Sequence, residues 1–577
     1  MEYRAQVKGR CQRHFIQKRP RDDRNFRQHS EHWLAEWLSG VGSESPFAIH
    51  GLHLVDVWVD WRVLSNSGMD EGFIRPAIAA GGWPLIPGSS IKGLFRRACS
   101  SEQRQLWCGN RWGAEQQQPG LLRFHGAWPV DNRWREGLLD VVHPQQNWQV
   151  GYEPDQSDGC HSAYALVSLL KPHLQIGISS TGRELSEQEW ADVDATLQRA
   201  LASGIGGRTS TGYGRSQALG EPVLFACVLG GQGSAPKLFD GTPEFRPIMF
   251  RSAIRGMALR LFGGVTSEAR ARKAVDQLFG GLGAGEAAQL GLLEMAYTHS
   301  MLQLDGPVFR MFRTSGLLQW RVQRAFAAGE SEEALRKLLA ALHGLTMALA
   351  GFGRTWRRPD HRIFKPGYTR TPIGCHWQWL DSGALPEGIQ VQSGRDLERL
   401  LREARGLARQ WLGIHGSTPF VLPPWREVMA PERMMVWVRE ASSAEDAKVI
   451  HWFHEPPLKR SDLTGRLRNK QIDDLPTRVG RIWNRLLSLD GGPQPPAQGS
   501  LASAMARPVR RSAPNTAAPH ASRSQAVYEP HRGRFLETVV LFPIFSSDGS
   551  LSNESHAFVN RLETTGFTQL DWSDPSE

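Results

Sequence analysis

A block of four short motifs occurs twice in this chain in the same order, and this repeat limits the available folds more than any other feature. The first copy contains residues 70–76, 87–93, 106–109 followed by 120–124, and 204–209. The second copy contains residues 240–247, 250–256, 278–281 followed by 291–295, and 351–355. Because four ordered matches seldom arise by chance, we predict two related domains in tandem.

The most distinctive motifs are Pro-Gly-Ser-Ser-Ile-Lys-Gly at residues 87–93 and Gly-Ile-Gly-Gly-Arg-Thr-Ser-Thr-Gly-Tyr-Gly-Arg at residues 204–215. Both resemble signatures of the RAMP superfamily of CRISPR effector subunits, which has an IPGSSxKG segment and a later glycine-rich loop. Residues 139–144, Leu-Asp-Val-Val-His-Pro, resemble a DVxxPH stretch of one group of type III subunits, with His-Pro in place of Pro-His. The second copy departs further, since Phe-Arg-Ser-Ala replaces Pro-Gly-Ser-Ser and the glycine loop shortens to residues 351–358.

The resemblance implies an α+β fold with two tandem ferredoxin-like (split βαβ) RAMP domains and a helical C-terminal region. We divide the chain into a basic N-terminal extension (1–46), a first RAMP domain (47–218), a second RAMP domain with helical insertions (219–490), a disordered basic linker (491–527) and a C-terminal segment (528–577). The linker is assigned from its composition, which is rich in Pro, Ala, Ser and Arg and lacks acidic and aromatic residues.

Local patterns predict the individual elements. Strands are predicted at residues 52–64, 163–170, 174–178, 222–229 and 535–545. Helices are predicted at residues 91–99, 186–202, 333–345, 396–412 and 478–489. Ser89 and Ser90 are N-cap candidates for the first of these helices, and Ser186 with Glu189 forms a capping-box pattern for the second.

Composition favours a polyanionic partner over a membrane. The net charge is +10 and the isoelectric point is near 9.5, values typical of nucleic-acid-binding proteins. No run approaches the ~20 apolar residues of a membrane span, and the first residues lack the apolar core of a signal peptide. The six cysteines include no Cys-x-x-Cys pair, which argues against a disulfide scaffold and a zinc knuckle. We therefore expect a cytoplasmic protein with no membrane partner.

The repeated motifs carry candidate phosphate-binding residues. A helix N-terminus with hydroxyls and nearby bases binds phosphate oxygens well, and a glycine loop brings backbone N–H groups and arginines to a phosphate chain. Tyr213 would stack on a base. Ordinary helix capping and a tight glycine turn are the alternatives. A nucleotide P-loop is excluded, because Ala202 and Arg208 occupy positions that require Gly and Lys. The predicted RNA-binding residues are Ser89, Ser90, Lys92, Arg96, Arg97, Arg208, Thr209, Tyr213, Arg215, Arg251, Ser252, Arg255, Arg354, Arg357 and Arg358.

Asp70 and Asp240 are the candidate catalytic residues. The resemblance implies this role, since catalytic type III backbone subunits carry an aspartate in the loop after the first strand, where it promotes metal-dependent attack of the RNA 2′-hydroxyl on the adjacent phosphate. A divalent metal, Mg²⁺ or Mn²⁺, would then be the cofactor. The family's aspartate lies directly before the proline, where this chain has Arg75 and Arg246, so a solvated turn is the alternative for both aspartates.

The leading functional hypothesis is a guide-RNA-binding backbone subunit of a type III-like CRISPR ribonucleoprotein, which holds guide and target RNA while base pairing reads the sequence. Whether it cleaves target RNA stays open. One alternative is a free-standing metal-dependent endoribonuclease that processes CRISPR RNA, and another is a scaffold that binds only protein. The expected partners are CRISPR guide RNA, target RNA and other CRISPR effector subunits.

Overall fold

The computed structural model describes residues 23–47, 51–65, 69–70, 73–109, 118–142, 150, 164–216, 220–236, 238, 241–281, 289–305, 310–327, 329–364, 373–416, 419–466, 478–490 and 533–573. Helices and largely antiparallel sheets run through these residues, so the predicted mixture of helices and sheets is confirmed. We distinguish a first unit (residues 53–216), a second unit (225–379) and a third unit (435–569). None of the described helices combines the length and apolarity needed to span a bilayer.

A helix, α1 (Asp23–Ser39), precedes the first unit. Its Trp33 and Trp37 are buried in the core of that unit. Part of the predicted basic extension is therefore built into the fold, because the two tryptophans, four residues apart, give a charged helix one apolar stripe. Residues 1–22 lie outside the described part of the chain.

The first unit has the order strand, helix, strand, strand, helix. Its elements are β1 (His53–Trp58), α2 (Gly88–Ala98), β2 (Leu122–Pro129), β3 (His173–Ser180) and α3 (Glu187–Leu201). The strands form an antiparallel sheet in the order β1-β3-β2. The predicted capping box at the start of α3 is confirmed, since Ser186 and Glu189 bond each other's backbone N–H groups.

The second unit repeats this order and adds a fourth strand. Its elements are β4 (Phe225–Ser234), α4 (Ile248–Gly263), α5 (Glu268–Phe279), β5 (Leu293–Leu304), β6 (Met311–Val322), α6 (Glu332–Leu349) and β7 (Cys375–Trp379). The antiparallel sheet has the order β5-β6-β4-β7. A further helix, α7 (Gly394–Trp411), confirms the prediction for residues 396–412.

The third unit is a sheet where we predicted a helical region. Its elements are β8 (Met435–Ala441), α8 (Val449–Trp452), β9 (Ile482–Ser488), β10 (Phe535–Leu541), α9 (Asn553–Thr564) and β11 (Thr568–Gln569). The strand order, β9-β10-β8-β11, matches that of the second unit. The strand predicted at 535–545 is confirmed, whereas the helix predicted at 478–489 is wrong. Antiparallel pairing with β10 decides the conformation there and buries Ile482, Trp483 and Leu486.

Both faces of the third sheet are buried. Trp437 on one face packs in a core with Phe558 of α9, and Val436 on the other face belongs to the core of the second unit. Helix α6 contacts β4 on one side and β9 and β10 on the other. The hydroxyl of Thr538 also donates to the carbonyl of Ala348 at 2.9 Å. The second and third units are therefore one packed body with α6 between their sheets.

Shorter strands complete the described fold. Arg62–Val63 pairs with Leu169–Leu170, and Gly465–Arg466 pairs with Arg478–Val479. Met69–Asp70, Phe73–Ile74, Tyr164–Val167 and Leu139–Val142 form a small sheet beside the first unit, in which Phe73–Ile74 and Tyr164–Val167 run parallel. The strand predicted across residues 52–64 is thus divided between two sheets.

Both units contain a close contact between two glycines of the repeated motifs, which we call the glycine step. Gly109 lies against Gly120, and a Cβ added to Gly109 would come within 2.6 Å of the Gly120 nitrogen. Gly280 and Gly291 meet in the same way, with 3.1 Å for the corresponding distance. In both copies this contact joins the segment after the helix to the start of the second strand, so the two units share a local geometry as well as an element order.

Candidate nucleic-acid interface

The N-terminus of α2 lies directly against strand β2. A Cβ at Gly88 would overlap the carbonyl oxygen of Phe124, so only glycine allows this approach. The N-cap is Pro87, which has no side-chain cap, and the prediction that Ser89 or Ser90 caps the helix is wrong. Both serines are exposed in the first turn. Their hydroxyls are therefore available at the positive end of the helix dipole.

The basic residues of α2 differ in their surroundings. Lys92 is half-buried, Arg97 is exposed, and Arg96 is half-buried with its Nη1 donating to the carbonyl of Gly109 at 3.1 Å. Arg96 therefore stabilises the glycine step. The side chains of Lys92 and Arg97 are at least partly accessible to a ligand.

The first glycine loop, residues 204–214, folds back on the strand segment that follows β1. Gly206 has φ +82°, and a Cβ there would lie 2.5 Å from the carbonyl oxygen of Leu64. Arg208 has the left-handed φ of 59° and precedes a single 3₁₀ turn, Thr209–Thr211. A Cβ at Gly212 would be 3.5 Å from Pro247, the N-cap residue of α4. The loop of the first unit therefore reaches the first turn of the second unit's helix.

Tyr213 supports this loop from inside the protein. Its side chain is 1% exposed, and its hydroxyl donates to Oδ2 of Asp140. Burial, together with the nearby charge of Asp140, raises the pKa of Tyr213. The guanidinium of Arg208 lies 5.8 Å from the centre of the ring. The predicted stacking of Tyr213 on a base does not agree with this burial, because no open ring face remains.

Arg215 and Thr209 take part in the contact between the first two units. Arg215 is 5% exposed, and its Nη1 donates to the carbonyl of Ala202 at 2.6 Å. Its Nη2 donates to Oε2 of Glu294 at 2.6 Å and to the carbonyl of Thr209 at 3.0 Å. Arg321 binds the other oxygen of Glu294. Arg215 is thus engaged with protein, and its pairing with Glu294 offsets part of the cost of burying its charge.

A second buried network joins the same two units. Nε of Arg62 donates to Oε1 of Glu244 at 2.6 Å, and Nε of Arg246 donates to Oε2 at 2.8 Å. Nη2 of Arg246 lies 3.1 Å from Oδ1 of Asp140. Arg246, the residue before Pro247, therefore holds the two units together.

Three arginines converge where the first loop meets α4. Arg251 is 6% exposed, and its Nη2 donates to the carbonyl of Phe279. Burial, and then the charges of Arg255 and Arg208, lower the pKa of Arg251 to about 9. Arg255 pairs with Asp276 at 2.8 Å. The Nε of Arg251 is buried and has no hydrogen-bond partner among the described residues. We call Arg208, Arg251 and Arg255 the arginine cluster.

The second glycine loop lies beside the same helix. A Cβ at Gly353 would be 3.3 Å from the sulfur of Met249 in α4. Arg354 is exposed, and Ser252, one helical turn after Ile248, is half-buried. The second unit therefore places a helix N-terminus beside its own glycine loop, as the repeat predicts.

Arg357 and Arg358 of this loop bind the third unit. Nη2 of Arg357 donates to Glu427 at 2.7 Å, and Arg358 donates to the carbonyls of Ile482 and Thr464 at 2.6 and 2.8 Å. Burial and the charge of Arg357 lower the pKa of Arg358 to about 9. Neither guanidinium is directed to solvent, so the predicted phosphate contacts of these two arginines do not agree with their placement.

Only one of the two candidate catalytic aspartates lies within the described residues. Asp70 ends the two-residue strand Met69–Asp70, where its backbone pairs with Phe73, and Asp240 lies outside the described residues. Among the side chains that the structure describes, no group of three or more His, Cys, Asp or Glu could hold a metal ion. A set of metal ligands is therefore not seen in the described part of the chain.

The buried charges that join the units are the residues that sequence reasoning missed. Arg62, Glu244, Glu294 and Glu427 are 8% exposed or less. The available signal was a charged residue inside an apolar stretch, as with Glu294 in Gly-Leu-Leu-Glu-Met. Such a residue indicates a buried ion pair, although the sequence does not identify the partner.

Residues 71–216 match the family model described as the RAMP superfamily. No curated protein matches the chain. Among solved structures, a chain of the type III-B Cmr-beta complex bound to cognate target RNA is 21% identical, with a TM-score of 0.21 over 28% of this chain and 56% of that one. A chain of a type IV-B CRISPR complex is 17% identical, with a TM-score of 0.20 over 28% of this chain and 86% of that one. Cmr6 from Pyrococcus furiosus is 16% identical, with a TM-score of 0.16 over 29% of this chain and 98% of that one. The match to the Cmr-beta chain thus spans about half of that chain's length.

Proposed function

We propose, from the premise that residues 71–216 form a domain of the RAMP superfamily, that this chain is a guide-RNA-binding subunit of a type III-like CRISPR effector complex. In this proposal the first and second units are tandem ferredoxin-like RAMP domains. Their element order and the shared glycine step support it. The proposed partners are CRISPR guide RNA, target RNA and other effector subunits, and the proposed location is the cytoplasm.

The arginine cluster carries the proposal. Arg251 is buried and pairs with no carboxylate among the described residues, and its burial, followed by the charges of Arg255 and Arg208, lowers its pKa. Burying like charges together is unfavourable unless an anion joins them. A phosphate between the first glycine loop and α4 would accept from the free Nε of Arg251 and would neutralise the cluster. The unsatisfied Nε of Arg251, with two more arginines nearby, therefore supports a phosphate site at this junction.

The remaining candidates extend a path on either side of this cluster. The first turn of α2 offers Ser89 and Ser90 with Lys92 and Arg97 nearby, and the second unit offers the exposed Arg354. These groups address phosphate oxygens, so the chain would hold RNA without reading its bases. Tyr213, Arg215, Arg357 and Arg358 are left out of this path because their side chains are engaged within the protein.

Cleavage of target RNA by Asp70 and Asp240 stays a prediction. The divalent metal that this cleavage would use, Mg²⁺ or Mn²⁺, stays a prediction with it.

The test is the salt dependence of RNA binding by the full chain. For a fluorescein-labelled single-stranded RNA of mixed sequence, we expect fluorescence anisotropy to show a Kd that rises steeply between 50 and 200 mM NaCl. The slope of log(1/Kd) against log salt should be about −0.7 per phosphate contact. Lys92→Ala with Arg208→Ala should reduce the slope by about 1.4, equally for RNAs of different sequence. The exposed Arg199→Ala is the matched control. An unchanged slope in the double variant would contradict the assigned path.

A further inference from the structure

Two buried cysteines meet beside the glycine step of the first unit. Cys99 is the C-cap residue of α2, and Cys108 ends a short π-helical turn, Arg104–Cys108, directly before Gly109. The two residues are 6% and 3% exposed, and their side chains are hydrogen-bonded to each other. Single π-helical turns are rare and occur frequently at functional sites. This turn places the thiol of Cys108 against that of Cys99.

The hydrogen bond makes the two thiols chemically unequal. The bond to Cys108, and then burial, raises the pKa of Cys99, so Cys99 keeps its proton and donates it to the bond. The same bond lowers the pKa of Cys108, and the charges of three cations act in the same direction while burial opposes them. These cations are Lys92, Arg96 and Arg104. Cys108 is thus the nucleophile of the pair, because the thiolate and not the thiol attacks electrophiles.

Two other buried cysteines show what these surroundings add. Cys227 in β4 and Cys375 in β7 are 3% and 1% exposed, so they are buried as deeply as Cys108. Burial is the largest influence on both and raises the pKa of each thiol. Buried cysteines of this kind are inert. Cys108 differs from both because a second thiol donates to it.

We propose that Cys99 and Cys108 form a dithiol site that a hydroperoxide, such as hydrogen peroxide, oxidises to an intramolecular disulfide. The thiolate of Cys108 attacks one peroxide oxygen, the O–O bond breaks, hydroxide leaves, and Cys108 becomes a sulfenic acid. The sulfur of Cys99 then attacks the sulfur of Cys108. The S–S bond forms, the S–O bond breaks, and the sulfenic oxygen leaves as water with the proton of Cys99. The two sulfurs lose two electrons, and the peroxide is reduced to one water and one hydroxide.

Arg104 lies where it assists both steps. Its Nη2 donates to the carbonyl of Cys99 at 3.4 Å, and its charge acts on both sulfurs. The Nε of Arg104 is buried and has no hydrogen-bond partner among the described residues. A guanidinium in this place stabilises the thiolate before the reaction and the departing hydroxide during it.

The disulfide would connect two elements that are already in contact. The sulfurs move from hydrogen-bond contact to about 2.05 Å. The bond then ties the end of α2 to the glycine step, which Arg96 also holds through the carbonyl of Gly109. This inference does not depend on the proposed function, because the reaction involves no RNA and no other subunit.

Peptide mapping of the full chain tests the disulfide. The purified protein is reduced, freed of reductant, treated with a small molar excess of hydrogen peroxide, denatured, alkylated with iodoacetamide and digested with trypsin. Cleavage after Arg97, Arg104 and Arg111 places the two cysteines in different peptides, so the disulfide links two peptides that a reductant separates. We expect this linked pair, with Cys227 and Cys375 recovered in alkylated form. Absence of the linked pair, a link to another cysteine, or disulfide-bonded dimers on a non-reducing gel would overturn the proposal.

Serine variants test the roles of the two thiols, since serine keeps a donor but cannot form a disulfide. In Cys99→Ser, peroxide should leave Cys108 as a sulfenic acid, and dimedone should label it about tenfold or more above Cys227 in the same digest. In Cys108→Ser, dimedone should not label Cys99. Label on Cys99, or none on Cys108, would overturn the assignment.

The unsubstituted chain gives a measurement that does not depend on the folding of a variant. In the native, reduced protein, iodoacetamide should alkylate Cys108 about tenfold or more faster than Cys227 or Cys375. Equal rates for these cysteines would overturn the proposal.

Discussion

Replacing Arg251 by Met should separate stability from RNA binding, which a structural arginine would not do. Lowering the pKa of this guanidinium from 12.5 to about 9 corresponds to about 5 kcal/mol of unfavourable interaction in the free protein. The substitution removes this penalty and also removes the bond to the Phe279 carbonyl and the contact with its ring, which together contribute about 3–4 kcal/mol. We therefore expect the free energy of unfolding to stay unchanged or to rise by about 1–2 kcal/mol.

The affinity of the Arg251→Met variant for RNA should fall, although its stability should not. A charge-assisted hydrogen bond to phosphate contributes about 1.5–3 kcal/mol, so Arg251→Met should raise the Kd for single-stranded RNA about ten- to hundredfold. The slope of log K against log salt should shrink by about 0.7. Differential scanning calorimetry and fluorescence anisotropy on the same preparations give the two quantities, with Arg199→Met as the control. A variant that loses stability but binds RNA as before would refute the reasoning and make Arg251 a structural residue.

Two further predictions concern acid stability and catalysis. Burial lowers the pKa of His343 to about 4, so this side chain is neutral in the native state, with Nδ1 donating to the carbonyl of Leu339 and Nε2 accepting from Trp320. As the pH falls below about 6.5 the unfolded chain takes up the proton first, and at pH 5 the protein should have lost about 2 kcal/mol of stability through this residue. In urea titrations at pH 7 and pH 5, His343→Gln should show a pH-dependent loss smaller by that amount, and an equal loss would contradict the assignment. For catalysis, Asp70→Ala should abolish one cleavage product of a target RNA and Asp240→Ala another, while target binding survives because removing a carboxylate near phosphates relieves repulsion. Gel analysis with Mg²⁺ checks this, and unchanged cleavage by the double variant would place the chemistry elsewhere.

The parts of the fold that the sequence predicted are those specified by local patterns. The spacing of Ser186 and Glu189 specified a capping box, and the apolar period of residues 333–345 specified α6. The Gly-Leu-Leu sequence that occurs in both copies of the repeat stands at the start of β2 and of β5. These features depend on neighbours a few residues away, so one sequence contains them in full.

The wrong predictions depended on contacts between distant residues. Residues 478–489 carry apolar side chains whose spacing fits either a helix or a strand, and the choice is made by β10, which begins 47 residues after β9 ends. The local sequence did not reveal the partner of Arg357 either, because Glu427 is 70 residues away along the chain. An arginine in a glycine loop has the same local sequence whether it binds RNA or a neighbouring unit.

Helix α6 between the second and third sheets has a consequence for how the chain melts. The second and third units share one apolar core, to which Trp320 and Val540 both belong, whereas the core of the first unit is separate. The first unit is joined to the second through buried charge networks such as Arg62 with Glu244. Heat or denaturant should therefore unfold residues 225–569 as one cooperative block, and the first unit should be able to open by itself.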